Sequence, residues 1–591
     1  MRRNKLYTMI VCASMLFLGI SCMDNYEKLP VDQFTGDYVF SETDSMGRQA
    51  SYFLNSIYDL LPAGHNGIGD DYLDAATDDA ISIKQNDPAV YQLAVGRYSA
   101  SNRINPVMEW GKYYEGIRRT NIIVNNVDVV PYKLTFTNIK NEKKALNYTV
   151  KAEARFLRTF FYFELVKRYG GVPIIGDSVY QLGDNIELPR NTFKQCIDYM
   201  INELDEIKYD LRSISMSNPE EFAHAATIEA TMALKSRILL YAASPLFNGK
   251  SVAADNNAQK ELIGYENYDI ERWKKAADAA RDFIDSFGSS GTGSVRLTDN
   301  FTNIFLGFYS QTANPELIFF RQGGQDKTIE TNNGPLGFTG NSLGNGRTNP
   351  TQNLVDAFPM KDGKVRGESK YPYNSQRPYD NRDPRLEFTV LHNGSNWLSR
   401  QLQTYRGGAN NPTTSAEYTR TSYYMRKFMG NFENANEYAT NYHLWVVFRY
   451  AEILLNYAEA QNEYADAPSQ DIYDAIIALR RRAGIEAGDD NLYGLSDMSK
   501  DEMRTVIQNE RRIEMAFEEH RFWDIRRWRI AEEVFRNPLK GMSFKKTISS
   551  ETYTQVDLFK LDFDEKRHLF PIPYSEVVKN KNMVQNPGWS K

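Results

Sequence analysis

The chain has 591 residues, of which 41% are apolar, 25% charged and 13% aromatic. At about 100–200 residues per domain this is a multi-module chain or one large helical assembly with ample core, not a disordered or fibrous protein. A formal net charge of −6 excludes a nucleic-acid binder that works through a broad basic field. With 37 Tyr, 32 Phe and 7 Trp, the chain carries more rings than a core of this size needs, so some are expected to face a ligand or partner.

The N-terminus reads as an address. Arg2, Arg3 and Lys5 precede a mostly apolar run from Met9 to Ile20, too short for the roughly 20 apolar residues of a membrane span and therefore a secretory signal, residues 1–21. Leu18-Gly19-Ile20-Ser21-Cys22 resembles a bacterial lipobox, in which cleavage before Cys22 is followed by acylation of its thiol. Gly19 stands where a lipobox prefers Leu, and ordinary cleavage leaving Cys22 free is the alternative. Removing residues 1–21 takes away three basic and no acidic residues, so the net charge moves from −6 to −9. Cys12 leaves with the signal and Cys196 stands alone, so neither an internal disulfide nor a cysteine-rich metal site is expected.

The body is helical in pattern. In residues 147–170, Ala152, Phe156, Phe160, Phe163 and Val166 recur at helical spacing before Gly170, Gly171 and Pro173. Residues 225–243 repeat the device before Pro245; further stripes run through Trp273/Ala277/Ala280/Ile284, Tyr450/Leu454/Tyr457/Ala458 and Met503/Val506/Ile507/Ile513/Phe517. Small residues alternating with aromatic ones allow the close helix approach of tetratricopeptide-type hairpins, without a fixed period. Residues 288–435 turn rich in Gly, Asn and Pro, with short β-type runs at 316–320 and 386–391, and are the expected binding surface.

Chemistry-bearing motifs are scarce. Three Gly-x-Gly starts lack the third glycine of a dinucleotide loop, there is no Walker A pattern, and no His pair has zinc-ligand spacing. Gly340-Asn341-Ser342-Leu343-Gly344 matches the nucleophile-elbow pattern but lies in loop composition. Asp70, Asp71, Asp74, Asp78 and Asp79 fit no calcium loop and read as capping or solvated acids, with calcium or sugar hydroxyls as the alternative. Glu510, inside an apolar stripe near Arg511, Arg512 and Arg521, reads as a buried architectural network. No catalytic residue, metal or cofactor is expected.

Seven strings in order resemble the SusD/RagB family of Bacteroidetes outer-membrane lipoproteins. They are Ala152-Glu153-Ala154-Arg155 leading to Tyr169-Gly170-Gly171-Val172-Pro173; Ala233-Leu234-Lys235-Ser236-Arg237 leading to Ser244-Pro245; Thr351-Gln352-Asn353-Leu354; Asp383-Pro384-Arg385-Leu386; Arg449-Tyr450-Ala451-Glu452; Asn509-Glu510-Arg511-Arg512 leading to Arg521-Phe522-Trp523-Asp524; and Phe570-Pro571-Ile572-Pro573 leading to Asn586-Pro587-Gly588-Trp589. His520 departs from the Gly usual before Arg521.

The resemblance implies a mainly α fold: a tetratricopeptide-like helical scaffold with a loop-rich middle containing short strands. It divides the mature chain into 22–240 and 241–591, with the insertion at about 288–435 and helices at 436–536. It also implies a lipid-anchored, surface-exposed protein of the outer membrane that binds a nutrient, most often a glycan, and sits as a lid on a SusC-like TonB-dependent transporter. A surface glycoside hydrolase and a peptide-binding or protein-scaffold member are the other readings. The scaffold motifs take Glu510, Arg511, Arg512, Arg521 and the Asp78-Asp79 region as structural. By position, ligand contacts fall to Tyr91, Tyr98, Asn102, Tyr309 and Phe338. Trp397, in the polar turn after Asn393-Gly394-Ser395-Asn396, joins them unless it packs on its own hairpin.

Overall fold

The computed structural model describes residues 36–590 apart from 182, 216–223, 255, 307–313, 430–433 and 435–441. Cys22, the signal segment and Tyr309 therefore lie outside the described residues. The principal helices are α1 (Arg48–Tyr58), α2 (Gly111–Asn126), α3 (Leu146–Tyr169), α4 (Phe193–Ile207), α5 (Ile228–Ala243), α6 (Glu271–Phe287), α7 (Tyr450–Tyr464), α8 (Gln470–Ala483), α9 (Lys500–Glu514) and α10 (His520–Arg527).

Each expected stripe forms its helix. From α2 to α7 each helix packs on the next, and α8 and α9 both pack on α7, giving the tetratricopeptide-like scaffold. The helix α3 is buried almost all round, with Phe156, Leu157, Phe160 and Phe161 shielded beside the charged Arg158 and Glu164, the mark of a central rather than a surface helix. It stops at Gly170, whose φ of +76° and lack of space (a Cβ would stand 2.4 Å from the Leu262 carbonyl oxygen) admit only glycine. Capping boxes open α4 (Thr192 with Gln195) and α9 (Ser499 with Glu502). Ala243, Ala276, Ala277 and Ala460 let α5, α6 and α7 close around Trp273 in a small second core.

The loop-rich middle leaves the scaffold after α6 and returns at α7. Its ends are brought together by the antiparallel pairing of Leu317–Gln325 with Tyr442–Arg449, in which Arg449 faces Leu317. The β-type reading of 386–391 needs correction: Arg385–Thr389 is a helical turn, and only Val390–Leu391 is extended, paired with Tyr424–Met425. Gly340–Ser342 forms a tight turn that follows a helix and precedes a strand, the reverse of a nucleophile elbow.

A buried ionic network joins these parts. Arg449, fully buried, donates to Glu316, Glu514 and Glu518 at 2.7–2.8 Å. Arg385 holds Asp383, Glu510 and Glu514, and Arg480 and Arg482 reach Glu510 and Glu514 from α8. Glu510 thus pairs with Arg385 and Arg480 rather than with its sequence neighbours. Arg511 instead binds Asp524 at 2.9 Å, and its second guanidinium nitrogen donates to His520 Nδ1 at 3.1 Å. Burial and then the Arg511 charge push His520 well below its usual pKa, which suits a neutral acceptor.

The reading of the aspartate cluster as capping or solvated acids needs correction, because four of its five members are buried, while the structural role that the resemblance gives Asp78 and Asp79 holds. Asp78 and Asp79 accept from Arg512, and Asp78 also from Arg521, at 2.7–2.9 Å. Asp74 accepts the Phe517 amide at 2.9 Å, and Asp71 accepts Ser82 and Thr348 hydroxyls. Only Asp70 stays exposed, near Lys84. These acids fasten the N-terminal segment to α9 and α10. Among the described residues no group of His, Cys, Asp and Glu has a metal-binding arrangement.

Burial disfavours the Glu514 carboxylate, but the guanidiniums of Arg482, Arg449 and Arg385 outweigh it and hold the group far below the ordinary range. A depressed carboxylate contributes stability above its unfolded value and loses it below. Arg449→Met, which takes one cation from each of three buried carboxylates, is expected to cost about 3–5 kcal/mol in chemical denaturation, against about 0–1 kcal/mol for Arg504→Met at the partly exposed pair with Glu463. The wild type should lose stability as pH falls below the Glu reference of 4.5.

Asp74 shifts the other way: burial and the neighbouring Asp79 carboxylate push it up to about 8 from 3.8. The folded state keeps this proton while the unfolded state releases it, so Asp74 withdraws stability as pH rises across that interval. Asn keeps an acceptor for the Phe517 amide. The thermal stability of Asp74→Asn relative to wild type should therefore climb between about pH 5 and pH 8; a flat difference would contradict the assignment.

Candidate aromatic–guanidinium face

The insertion's loops, the segment around Tyr91 and the hairpin Leu539–Lys546/Glu551–Phe559 meet on one side of the scaffold. What they present is a series of rings paired with arginines. Arg97 lies 5.6 Å from the Tyr91 ring centre. Tyr91 meets Phe559 edge-to-face at 5.7 Å, and Arg420 lies 5.4 Å from the Phe559 ring. Tyr418, next but one to Arg420, carries Arg406 at 4.0 Å, and Phe338 carries Arg400 at 3.9 Å. Such pairs contribute about 0.5–1 kcal/mol each at exposed sites and, more usefully, hold a long side chain in one place.

Two buried asparagines position these loops. Asn410 donates to the Leu336 carbonyl beside Phe338 at 2.6 Å, and its side-chain oxygen accepts the Gln403 amide. Asn411 donates to the carbonyls of Thr404 and Thr419, so the stretches bearing Arg406 and Tyr418 cannot drift apart. The guanidiniums themselves rest on carbonyls: Arg400 on Gly337 at 3.2 Å, Arg406 on Pro412 at 2.6 Å and Arg420 on Ser82 at 3.1 Å. Burial, with no carboxylate to offset it, pushes Arg420 below its usual range.

The sequence-derived residues divide. Tyr91 and Phe338 are half-buried members of this face. Asn102 is exposed on the turn that carries Arg97, its amide side chain donating to the Arg97 carbonyl at 3.3 Å. Tyr98 and Trp397 need correction, for neither has a free ring face. Tyr98, 5% exposed, packs on Phe570 and Trp589 and secures the C-terminal motif. Trp397, 3% exposed, packs inward from the two-stranded hairpin Asn396–Trp397/Arg400–Gln401, whose turn puts Leu398 and Ser399 at φ of +50° and +60°. The partners Arg97, Arg400, Arg406, Tyr418, Arg420 and Phe559 were not legible: Arg420 and Phe559, for example, lie 139 residues apart in the sequence.

The rings on this face are not tryptophans, since Trp110, Trp273, Trp397, Trp445, Trp523 and Trp528 are all buried. A cavity of about 570 Å³ does open in the scaffold, walled by Trp273, Trp528 and the exposed Tyr268. Its carboxylates are already engaged: Glu459 by Arg527 and the Trp528 indole, Glu463 by Arg504. That is an arrangement for packing rather than for acid–base work on a ligand.

Comparison with known proteins agrees with the architecture. A solved SusD-like protein from Bacteroides fragilis superposes with a TM-score of 0.73 at 24% identity, covering 94% of this chain and all of that one. A solved laminarin-binding SusD-like protein gives 0.61 at 19% identity, over 92% and 99%. SusD-like protein P2 of Formosa agariphila is 26% identical over 488 residues, 81% of this chain and 80% of that relative. Residues 51–240 match a family model described as starch-binding and associating with the outer membrane, and residues 315–589 match the SusD family model. With both halves matched in order on the helical scaffold described above, the chain belongs to the SusD family.

Proposed function

We propose that the chain is a surface lipoprotein, acylated at Cys22, that captures a glycan without turning it over and delivers it to a SusC-like TonB-dependent barrel in the outer membrane. The observation that carries this reading is the ordered match of both halves to SusD-type models, one of them described as starch-binding and associating with the outer membrane. A fold neighbour that binds laminarin supports a glycan as cargo. The aromatic–guanidinium face supplies the means: rings for sugar C–H surfaces and planar donors for their oxygens, on loops fixed by Asn410 and Asn411. A tether through the segment after Cys22 keeps lid and barrel at high local concentration, so modest contacts between them suffice.

Cys22→Ala should take up no labelled palmitate and leave the membrane fraction, because each buried CH₂ of the acyl chains contributes about 0.8 kcal/mol of attachment. Label still entering the variant would refute acylation at this residue.

Mild-detergent pulldown of the tagged protein from native cells should recover a TonB-dependent barrel as the dominant partner. Titration of the purified chain with a polysaccharide panel should give binding without reducing-end release, weakened about fivefold or more by Tyr91→Ala with Phe338→Ala at unchanged melting temperature. Bait alone in the pulldown rejects the lid role; hydrolysis of any glycan rejects capture without turnover.

A further inference from the structure

The arginines of the loop face differ from those of the scaffold's ionic network in their partners, and from the buried Arg190, Arg382 and Arg526, which also rest on carbonyls, in their access to solvent. In the scaffold, Arg385, Arg449, Arg511, Arg521 and Arg527 are all closed by carboxylates. On the loop face Arg400, Arg406 and Arg420 have carbonyl partners and, among the described residues, no carboxylate within ion-pair distance. Arg420 Nε is buried with no hydrogen-bond partner at all. Arg97 does pair with Asp87, at 2.7 Å, but both side chains are about half exposed, a contact easily exchanged for a ligand's anion. This concentration of uncompensated cations stands on a chain whose overall charge is −6.

Ring coverage points the same way. Arg400 and Arg406 lie 3.9 and 4.0 Å over the Phe338 and Tyr418 rings, so on those faces a guanidinium, not a bare ring, meets the ligand. A guanidinium held flat against a ring keeps its planar fork of donors fixed, the geometry that recognises carboxylate and sulfate in bidentate fashion. Several such forks along tied loops match a polymer that repeats its anionic group better than a single small ion.

We infer that the glycan taken by this face is anionic, a polysaccharide bearing uronate carboxylates or sulfate esters, read by Arg400, Arg406 and Arg420 with Arg97 at the end of the run. The inference rests on the glycan-capture reading above and narrows it to a substrate class. Carboxylate and sulfate share this chemistry and are separated only by experiment.

The test is titration of the full mature chain with polygalacturonate, with carrageenan, and with neutral laminarin and amylose. At about 0.05 M salt one of the two anionic polymers should bind, and its affinity should fall at least about tenfold by about 0.5 M; which polymer binds identifies the group. Arg400→Gln with Arg406→Gln should weaken that binding at least about tenfold at unchanged melting temperature, whereas Arg504→Gln, at an ion pair of the scaffold, should not change it. Salt-insensitive binding of laminarin or amylose that survives the double substitution would overturn the anionic class and leave glycan capture standing. Anionic binding indifferent to the double substitution would overturn the assigned face. Binding of none of the four polymers would overturn the inference; no retention across a wider glycan panel would take the capture reading with it.

Discussion

Glu514 accepts from three guanidiniums, those of Arg385, Arg449 and Arg482, in a place with no exposure to water. Each comes from a different part of the chain: the insertion, the strand that ends it, and α8. A buried carboxylate is costly unless such partners surround it, so the site tolerates only the arrangement in which all three segments have arrived. Through Arg449 the same centre reaches Glu316 at the insertion's start and Glu518 before α10. A second set, Arg512 and Arg521 on Asp78 and Asp79, fastens the N-terminal segment to the same two helices. The loop-rich middle is thus locked to the scaffold at its root, and its outer loops are free to specialise.

That division explains how loops of low regular structure hold a fixed surface. Their roots are ionic and dry, while their tips are tied by backbone acceptors and by Asn410 and Asn411, which leave no charge consumed. Had Arg400, Arg406 and Arg420 been fixed by carboxylates, as the root arginines are, their charge would be spent within the protein. Carbonyl partners orient a guanidinium without neutralising it.

What was legible in the sequence follows the range of each interaction. Helices α3, α5, α6, α7 and α9 announce themselves because 3.6-residue periodicity, caps and Gly or Pro stops are local. Residues 386–391 misled because Leu, Phe, Thr and Val in a row favour strand in isolation, whereas Asp383 caps the turn through the Arg385 amide and side chain. The aspartate cluster misled because its partners, Arg512 and Arg521, lie more than four hundred residues away. Position along the chain points to Tyr91 and Phe338 but not to their arginines, since no spacing rule connects a ring to a cation on another loop. For Trp397 the hairpin alternative is the one that forms: its ring packs inward from a two-residue turn of Leu398 and Ser399.

The aromatic surplus that opened the sequence reading is resolved by the same pairing, used in two media. Inside the protein, Arg237 lies 4.1 Å over Phe448, Arg526 lies 3.5 Å over Phe522 and Arg527 lies 4.7 Å over Trp528. A buried cation needs neighbours that exclude water yet are not hostile to charge, and a ring face is such a neighbour. A scaffold rich in buried arginine therefore requires rings beyond those that fill volume, and most of the surplus is used there rather than on the surface. On the loop face the pairing recurs with one component withheld. In the core a carboxylate completes Arg237 and Arg527, whereas Arg526 and the arginines over Phe338, Tyr418 and Phe559 rest on carbonyls. What sets the candidate site apart from a buried pair such as Arg526 on Phe522 is exposure: Arg400 and Arg406 reach solvent, where an anion the protein does not supply can come from a ligand.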